Sequence, residues 1–468
     1  MRNITYEGPS TPLSEELDAM KYRQKGETFD GKVKRLARSL CDGTEHQWIL
    51  EDIFGNMRFL PAGRVQSAMG ADKLVTAYNC FVSGEIKDSM DSIMDRAKEA
   101  AETMRRGGGI GYDFSKVRPK GNTIKSLESQ ASGPISFMSI FDAVCQTISS
   151  SGHRRGAQMG VLRIDHPDIV DFITAKRNSD KLTGFNISLG ITDKFMEALS
   201  KEDDSFDLIF EGIVHETVSA NEIWNLAMES TWDWAEPGVL FIDRIKEMNN
   251  LYYCEDISAT NPCGEQPLPP YGACLLGSFN LTKYLTGDTG NYTFNFEQFK
   301  EDIPHVVRAQ DNVVDRTIYP LREQEDEAKN KRRMGLGITG LANAGEMLGF
   351  EYGSKPFLRW MEKVFACLRD NTYYASAKLA EEKGAFPLYR EEYLKGNFIR
   401  TLPSFVQKEI RKHGIRNSHL TSIAPTGTIS LVADNVSGGI EPVFSHSYQR
   451  TIQTFDGPRY DNVKDYAF

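Results

Sequence analysis

Histidine and cysteine are scarce in this chain of 468 residues, at eight and seven. No two cysteines stand in a Cys-x-x-Cys spacing, so neither a structural zinc site nor any other metal site is expected. Seven thiols are also too few for a disulfide framework in a chain this long. There is no basic excess: 65 acidic residues face 55 basic ones, for a net charge of −10. That balance argues against a nucleic-acid partner, whose usual footprint is a basic face. No stretch reaches the ~18 uninterrupted apolar residues of a membrane span. The start, Met1 to Glu7, lacks the apolar core of a signal peptide. These absences predict a cytoplasmic protein that binds no membrane. Repeats, low-complexity segments and Pro/Gly/Ser-rich linkers are missing too.

What remains is ordinary globular material, with 40% hydrophobic and 26% charged residues. The length fits about three domains of ~150 residues, or one large α/β barrel. Residues 14 to 60 read as helical, with Leu36, Leu40, Ile49, Ile53 and Phe54 near helical spacing. Ser89 to Arg106 is a helix ending at Gly107, and Pro134 to Ser149 reads as a buried helix. Pro167 to Lys176 and Thr192 to Leu199 are shorter helices. Phe206 to Phe210 and Gly238 to Ile242 read as strands. This alternation predicts an α/β fold. It divides into a helical region over 1–75 and an α/β domain over 76–468.

Three glycine-bearing stretches interrupt these elements. Gly107 to Gly111 reads as a tight turn with close backbone approach in preference to a dinucleotide loop, because it follows a helix and opens none. Ser149 to Gly160 places Arg154 and Arg155 in a flexible loop, where an arginine can meet a phosphate or a base. Pro425 to Ser430 reads as a turn into a helix N-terminus, a place for phosphate.

The densest chemistry lies in Asn261 to Asn280. Asn261, Cys263 and Glu265 alternate, and an extended chain points alternate side chains to one side. A thiol, an amide and a carboxylate at one point make a poor core and a plausible active site. The thiol can exchange a hydrogen atom, the carboxylate can act as a base, and the amide can orient a hydroxyl. Prolines 262, 267, 269 and 270 stiffen the loop. Cys41, Cys145, Cys254 and Cys367 read as small buried hydrophobes.

With Phe59 to Arg64, Asn79-Cys80, Gly107 to Arg118, Gly152 to Gly160, Asn261 to Glu265, Arg333 to Gly337, Pro425 to Ser430 and Gly439 to Pro442 taken together and in order, the chain resembles the large catalytic subunit of ribonucleotide reductases. The wording is closest to the adenosylcobalamin-dependent group. The resemblance implies a ten-stranded α/β barrel and thiyl-radical reduction of ribonucleotides. In that reading Cys263 carries the radical, Glu265 takes the 3′-hydroxyl proton and Asn261 holds the sugar hydroxyls. Cys80 and Cys274 supply two electrons and close a disulfide, which requires their Cα atoms within roughly 7 Å. Ser67, Asn79, Pro425, Thr426, Gly427, Thr428 and Ser430 would bind substrate. An effector segment at about 86–165 would bind a deoxynucleoside triphosphate through Asp88, Arg118 and Arg154. Asp88 could also cap the following helix, with Asp91 three residues on.

The resemblance leaves two radical sources open, adenosylcobalamin or a ferritin-like metal subunit. It also implies a thioredoxin-like or small thiol reductant and a homodimer. Against the family pattern, the chain has no room for an N-terminal ATP cone. Only 26 residues follow Pro442 and no cysteine follows Cys367, so the last barrel strands are expected to be missing or reduced. A nucleotide-binding fragment of a split reductase, active only with a complementing chain, is the alternative. A weaker one is an unrelated thiol oxidoreductase using Cys80 and Cys274.

Overall fold

The protein is described by a computed structural model covering residues 6–124, 128–150, 154–177, 181–443, 445–454 and 457–468. Three helices open it: α1 (Pro12–Lys21), α2 (Phe29–Leu40) and α3 (Thr44–Gly55). Thr11 and Thr28 start the first two, their hydroxyls accepting the Ser14 and Gly31 N–H groups, which the first helical turn leaves unpaired. α2 buries Val33, Leu36, Ala37 and Leu40, a stripe at helical spacing. The expected helical run to residue 60 stops at Gly55, and Phe59–Pro61 form strand β1.

Five parallel strands follow in spatial and chain order: β2 (Cys80–Val82), β3 (Gly109–Asp113), β4 (Gln158–Arg163), β5 (Phe185–Ile191) and β6 (Gly238–Phe241). Parallel neighbours need a crossover. Helices supply it here: α4 (Met90–Arg105), α5 (Pro134–Thr147), α6 (Ile169–Thr174) and α7 (Ala220–Trp234). The short helix expected from Thr192 forms as Asp193–Leu199, with Thr192 as its cap. Phe206 to Phe210 is extended, but it pairs with residues 213–219 in a hairpin outside the main sheet. The chain then forms a small hairpin, β7 (Ala259–Thr260) with β8 (Pro267–Leu268), and returns as β9 (Ala273–Cys274), antiparallel to β2.

A second sheet sets β1 antiparallel to β10 (Leu276–Asn280), and β10 parallel to β11 (Gly335–Thr339). A single bridge adds Thr421 beside Leu336. Among the described residues the two sheets hold six and three strands. Helices α8 (Phe296–Arg316), α9 (Arg322–Lys331) and α10 (Lys355–Lys383) follow β10 in the chain, with α9 leading into β11. α11 (Gly427–Val432) follows the Thr421 bridge. The final residues form a separate hairpin, β12 (Ser447–Thr454) with β13 (Gly457–Lys464), pinned to α1 by Arg459–Glu16.

α2 and α3 share one apolar core with the sheets, running from Val33 to Ala424, whereas α1 packs through Leu17 into a second cluster with Ile429 and Leu431 of α11. In the larger core Tyr112, Phe114, Phe141 and Phe185 pack in tilted and edge-to-face pairs, with ring centres 4.8 to 6.2 Å apart. Truncating a buried ring such as Phe114 to alanine typically costs about 3–5 kcal/mol.

The helix expected to be buried over 134–149 buries only Pro134, Met138, Phe141 and Cys145. Ile140, Val144 and Ile148 lie half-exposed. Its apolar residues exceed what one face of a helix can tuck against the sheet. Cys145 and Cys367 are buried as expected, but Cys41 and Cys254 are only half-buried. Cys41 ends α2 at the surface, its thiol donating to the Arg38 carbonyl. No described helix is long and apolar enough to cross a membrane.

Candidate active site

The β7–β8 hairpin is wedged between the sheets, and glycines make the space. A Cβ on Gly111 of β3 would lie 1.8 Å from the Thr260 carbonyl oxygen, and one on Gly109 would lie 3.0 Å from Pro262. From the other side, a Cβ on Gly335 of β11 would lie 2.1 Å from Gln266 Nε2. The close approach read from Gly107 to Gly111 is therefore real. The turn itself is at Gly107, with φ +94°, a conformation that costs glycine little.

Residues 261 to 266 form the tip. Asn261 is buried, and its amide donates to Glu265 Oε2 at 2.6 Å. Asn261 Oδ1 accepts the Gln266 N–H at 3.0 Å, which sets the amide's orientation. Gly264, with φ +81°, turns the chain and donates to the Asn261 carbonyl. Cys263 stands exposed at the end of the turn, while Glu265 is half-buried. The alternating triplet is thus brought together at one loop tip.

Cys80 and Cys274 are direct partners in the β2–β9 ladder. Opposite residues in an antiparallel pair have Cα atoms ~4.5–5.5 Å apart, inside the range a disulfide spans. Both are thiols here and both are buried, at 3% and 0% exposure. Burial pushes the Cys274 thiol well above its usual pKa, and the charges of Cys80, Glu265 and Cys263 push it further. Those four groups therefore share one electrostatic neighbourhood, and Cys274 holds its proton at neutral pH.

Behind Cys274 lies a charge network that motif reading missed. Arg333 binds Glu255 at 2.7 and 2.8 Å, and Lys331 binds it at 2.9 Å. Burial alone would raise the Glu255 carboxyl, but Arg333 and Lys331 outweigh it and hold the pKa at about 2. His419 stands half-buried beside them and is kept neutral, its pKa lowered to about 3 chiefly by desolvation and then by Arg333. Arg333 opens the Arg333 to Gly337 motif, and the further sequence signal was the triplet Lys331-Arg332-Arg333 running into an apolar strand.

The other expected residues fall in three places. Asn79 precedes Cys80, and its buried Oδ1 has no hydrogen-bond partner among the described residues. Ser67 sits on the short helix Gly63–Ala68, half-buried, its hydroxyl donating to the Arg64 carbonyl. Pro425 to Ser430 does turn into a helix: Thr426 caps α11 in the left-handed conformation, φ +55°. The Thr426 hydroxyl faces inward, paired with Thr339 and accepting from Gly439 N. Ser430 is buried, whereas Pro425 and Gly427 are exposed and Thr428 is half-exposed.

Asp88 and Arg118 meet directly, with Arg118 Nε and N donating to the two carboxylate oxygens at 2.7 and 3.2 Å. Asp88 does not cap α4. Ser89 does, accepting the Ser92 N–H, and this leaves the Asp88 carboxylate for Arg118. The backbone of Arg154 and Arg155 pairs with Ser149 and Ser150 in a two-residue ladder; residues 151–153 of the expected flexible loop, and the Arg154 side chain, lie outside the described residues. Glu381, Glu409 and His413 are the one metal-like cluster among the described residues. It sits on outer helices, and Lys378 already pairs both glutamates.

A dithiol across a strand ladder, facing a thiol–amide–carboxylate loop between two sheets, defines a redox-competent α/β barrel site. The barrel domain of ribonucleotide reductases matches residues 78–463. The chain belongs to that family. It is 37% identical over 407 residues to the vitamin B12-dependent ribonucleoside-diphosphate reductase of Thermoplasma acidophilum, covering 86% of this chain and 50% of that protein. A Mycobacterium tuberculosis protein of the same name is 36% identical over 435 residues, covering 91% and 60%. The ribonucleoside-diphosphate reductase large subunit of Monkeypox virus is 25% identical over 417 residues, covering 80% and 53%. The chain thus spans about half to three fifths of the length of these relatives.

Proposed function

We propose that the chain carries the catalytic centre of a ribonucleotide reductase, converting ribonucleotides to deoxyribonucleotides by a thiyl-radical route. The observation that carries this is the Cys80–Cys274 ladder pair sharing one neighbourhood with Cys263, Asn261 and Glu265. A thiol S–H is comparable in strength to a ribose C–H, so a sulfur radical at Cys263 can take the 3′ hydrogen and later return it. Glu265 accepts the 3′-hydroxyl proton, while Asn261, already bonded to Glu265, holds the sugar hydroxyls. The 2′-hydroxyl leaves as water. Cys80 and Cys274 lose two electrons and two protons as their disulfide forms, which balances the reduction. A Cys274 thiol that stays protonated is the form that can deliver hydrogen.

The names of the relatives favour adenosylcobalamin over a ferritin-like subunit, and a diphosphate substrate. Bound nearby, adenosylcobalamin would supply a hydrogen-abstracting carbon radical. The exposed Cys263 thiol fits that role, being the group such a radical can reach. The remaining assignments follow the family: substrate at Ser67, Asn79 and Pro425 to Ser430; a deoxynucleoside triphosphate effector at Asp88, Arg118 and Arg154; a barrel of the ten-stranded type; and residues 1–75 as a helical flank of a catalytic domain over 76–468. A thiol reductant, a cytoplasmic location and a homodimer complete the reading, the last supported by the half-exposed apolar side of α5. In a second reading, a complementing chain is required for turnover.

The test is deoxynucleotide formation from ribonucleoside di- and triphosphates with adenosylcobalamin and dithiothreitol, by the chain alone and with complementing chains. Product that vanishes in Cys263→Ser supports the proposal. Full activity in that variant refutes it.

A further inference from the structure

The tip that bears Cys263 is held by more than its own turn. Two carbonyl groups flank the Cys263–Gly264 pair, those of Pro262 and Glu265. Each accepts a hydrogen bond from a side chain distant in sequence, and the two donors come from opposite sheets. Asn186, on β5 of the first sheet, donates its amide to the Pro262 carbonyl at 2.8 Å. Ser422, whose own N–H is tied to Leu336 of β11, donates its hydroxyl to the Glu265 carbonyl at 3.1 Å.

A peptide unit is planar, so fixing its carbonyl also fixes the N–H at its other end. The Pro262 carbonyl shares a plane with the Cys263 N–H, and that plane sets the direction in which the Cys263 side chain leaves the loop. The Glu265 carbonyl shares a plane with the Gln266 N–H. That N–H is the one that donates to Asn261 Oδ1, and it thereby turns the Asn261 amide toward Glu265. Ser422 therefore acts on the amide–carboxylate pair through one peptide plane, and Asn186 acts on the thiol through another. Neither residue stood out in the sequence: Asn186 sits in an apolar strand, and Ser422 just before the Pro425 turn.

We propose that Asn186 and Ser422 are positioning residues for the reductase reaction, a two-sided clamp that aims the Cys263 thiol relative to Asn261 and Glu265. This rests on the catalytic reading above. The physical need is clear: hydrogen transfer demands near-contact geometry, and a displacement of about 1 Å can cost on the order of a hundredfold in rate. The clamp acts on the loop backbone and not on the substrate, so its loss should lower kcat and leave KM nearly unchanged.

The experiment compares Asn186→Ala, Asn186→Asp, Ser422→Ala and Ser422→Thr in the full chain. Two readouts are used: steady-state kinetics, and the rate of Cys263 alkylation by iodoacetamide followed by mass spectrometry, which needs no turnover. Both alanine variants and Asn186→Asp, whose carboxylate cannot donate, should lose about ten- to a hundredfold in kcat, with KM within about twofold. Their Cys263 alkylation rates should change about threefold or more. Ser422→Thr keeps the hydroxyl and should restore both readouts. If an alanine variant fails to fold, Asn186→Asp, which nearly preserves shape and cannot donate, decides the matter. Alkylation and kcat within twofold of the parent in all variants would overturn the clamp, as would a loss confined to KM. Cys263→Ser separates the two levels: turnover in that variant sinks the catalytic reading, whereas a dead Cys263→Ser beside fully active Asn186 and Ser422 variants sinks only the clamp.

Discussion

Cys263 and Cys274 lie eleven residues apart and belong to one site, yet they occupy opposite environments. Cys274 is buried in a strand ladder, fixed opposite Cys80, with its thiol pKa driven up. Cys263 is exposed on a turn, held by bonds to backbone carbonyls. In the proposed reaction the difference matches two jobs. A dithiol that must close a disulfide needs a set separation, which a ladder provides. A thiol that must receive a radical from outside needs access, which only a loop tip provides.

The largest expected effect breaks the exposed side. Cys263→Ser should lower turnover about a thousandfold or more, equivalent to roughly 4 kcal/mol or more in the barrier, because an alcohol O–H is too strong to exchange hydrogen with a sugar carbon. Thermal denaturation should barely move, since a surface substitution typically changes stability within about 0.5 kcal/mol. A large drop in melting temperature would show that Cys263 is structural.

On the buried side, one turnover without reductant should oxidise Cys80 and Cys274 to each other, as peptide mapping would find. Dithiothreitol should reduce that bond faster than thioredoxin, because exchange needs in-line access for the attacking thiolate and both sulfurs are buried. Equal rates, or a different pair, would contradict the ladder assignment.

The support beneath Cys274 should show in acid. Glu255 has its pKa depressed to about 2 from an ordinary 4.5, so its contribution is full above about pH 4.5 and disappears as pH falls through 2. A shift of this size is worth about 3 kcal/mol. Urea titrations from pH 5 to pH 2 should lose that much less stability in Glu255→Gln than in the parent. Parallel pH curves for the two proteins would remove Glu255 from the account.

The smallest expected effect lies away from both thiols. Arg118→Ala should weaken deoxynucleoside triphosphate binding about ten- to a hundredfold, the ~1.5–3 kcal/mol of a charge-assisted contact, without stopping the chemistry. The Asp88 carboxylate now pairs with Arg118, so Asp88→Ala should release the arginine. An unchanged effector titration in Arg118→Ala would place the effector elsewhere.

Sequence alone determined the local features, because caps, periodicity and alternation act within a few residues. Thr11, Thr28, Thr192 and Ser89 start their helices by local hydrogen bonds. The Asn261–Cys263–Glu265 triplet was legible because its members are near neighbours in the chain. Only the tertiary structure decided what depends on distant partners. Asp88 looked like a cap because a carboxylate before a helix usually is one, but Arg118 lies 30 residues on and claims it. The apolar helix at 134–147 looked buried because composition cannot show how many faces a neighbour covers. Asn186, Ser422 and Glu255 carried no local signal at all. Their partners sit 76, 157 and 78 residues away, and a hydrogen bond of that span exists only once the two sheets have closed around the loop.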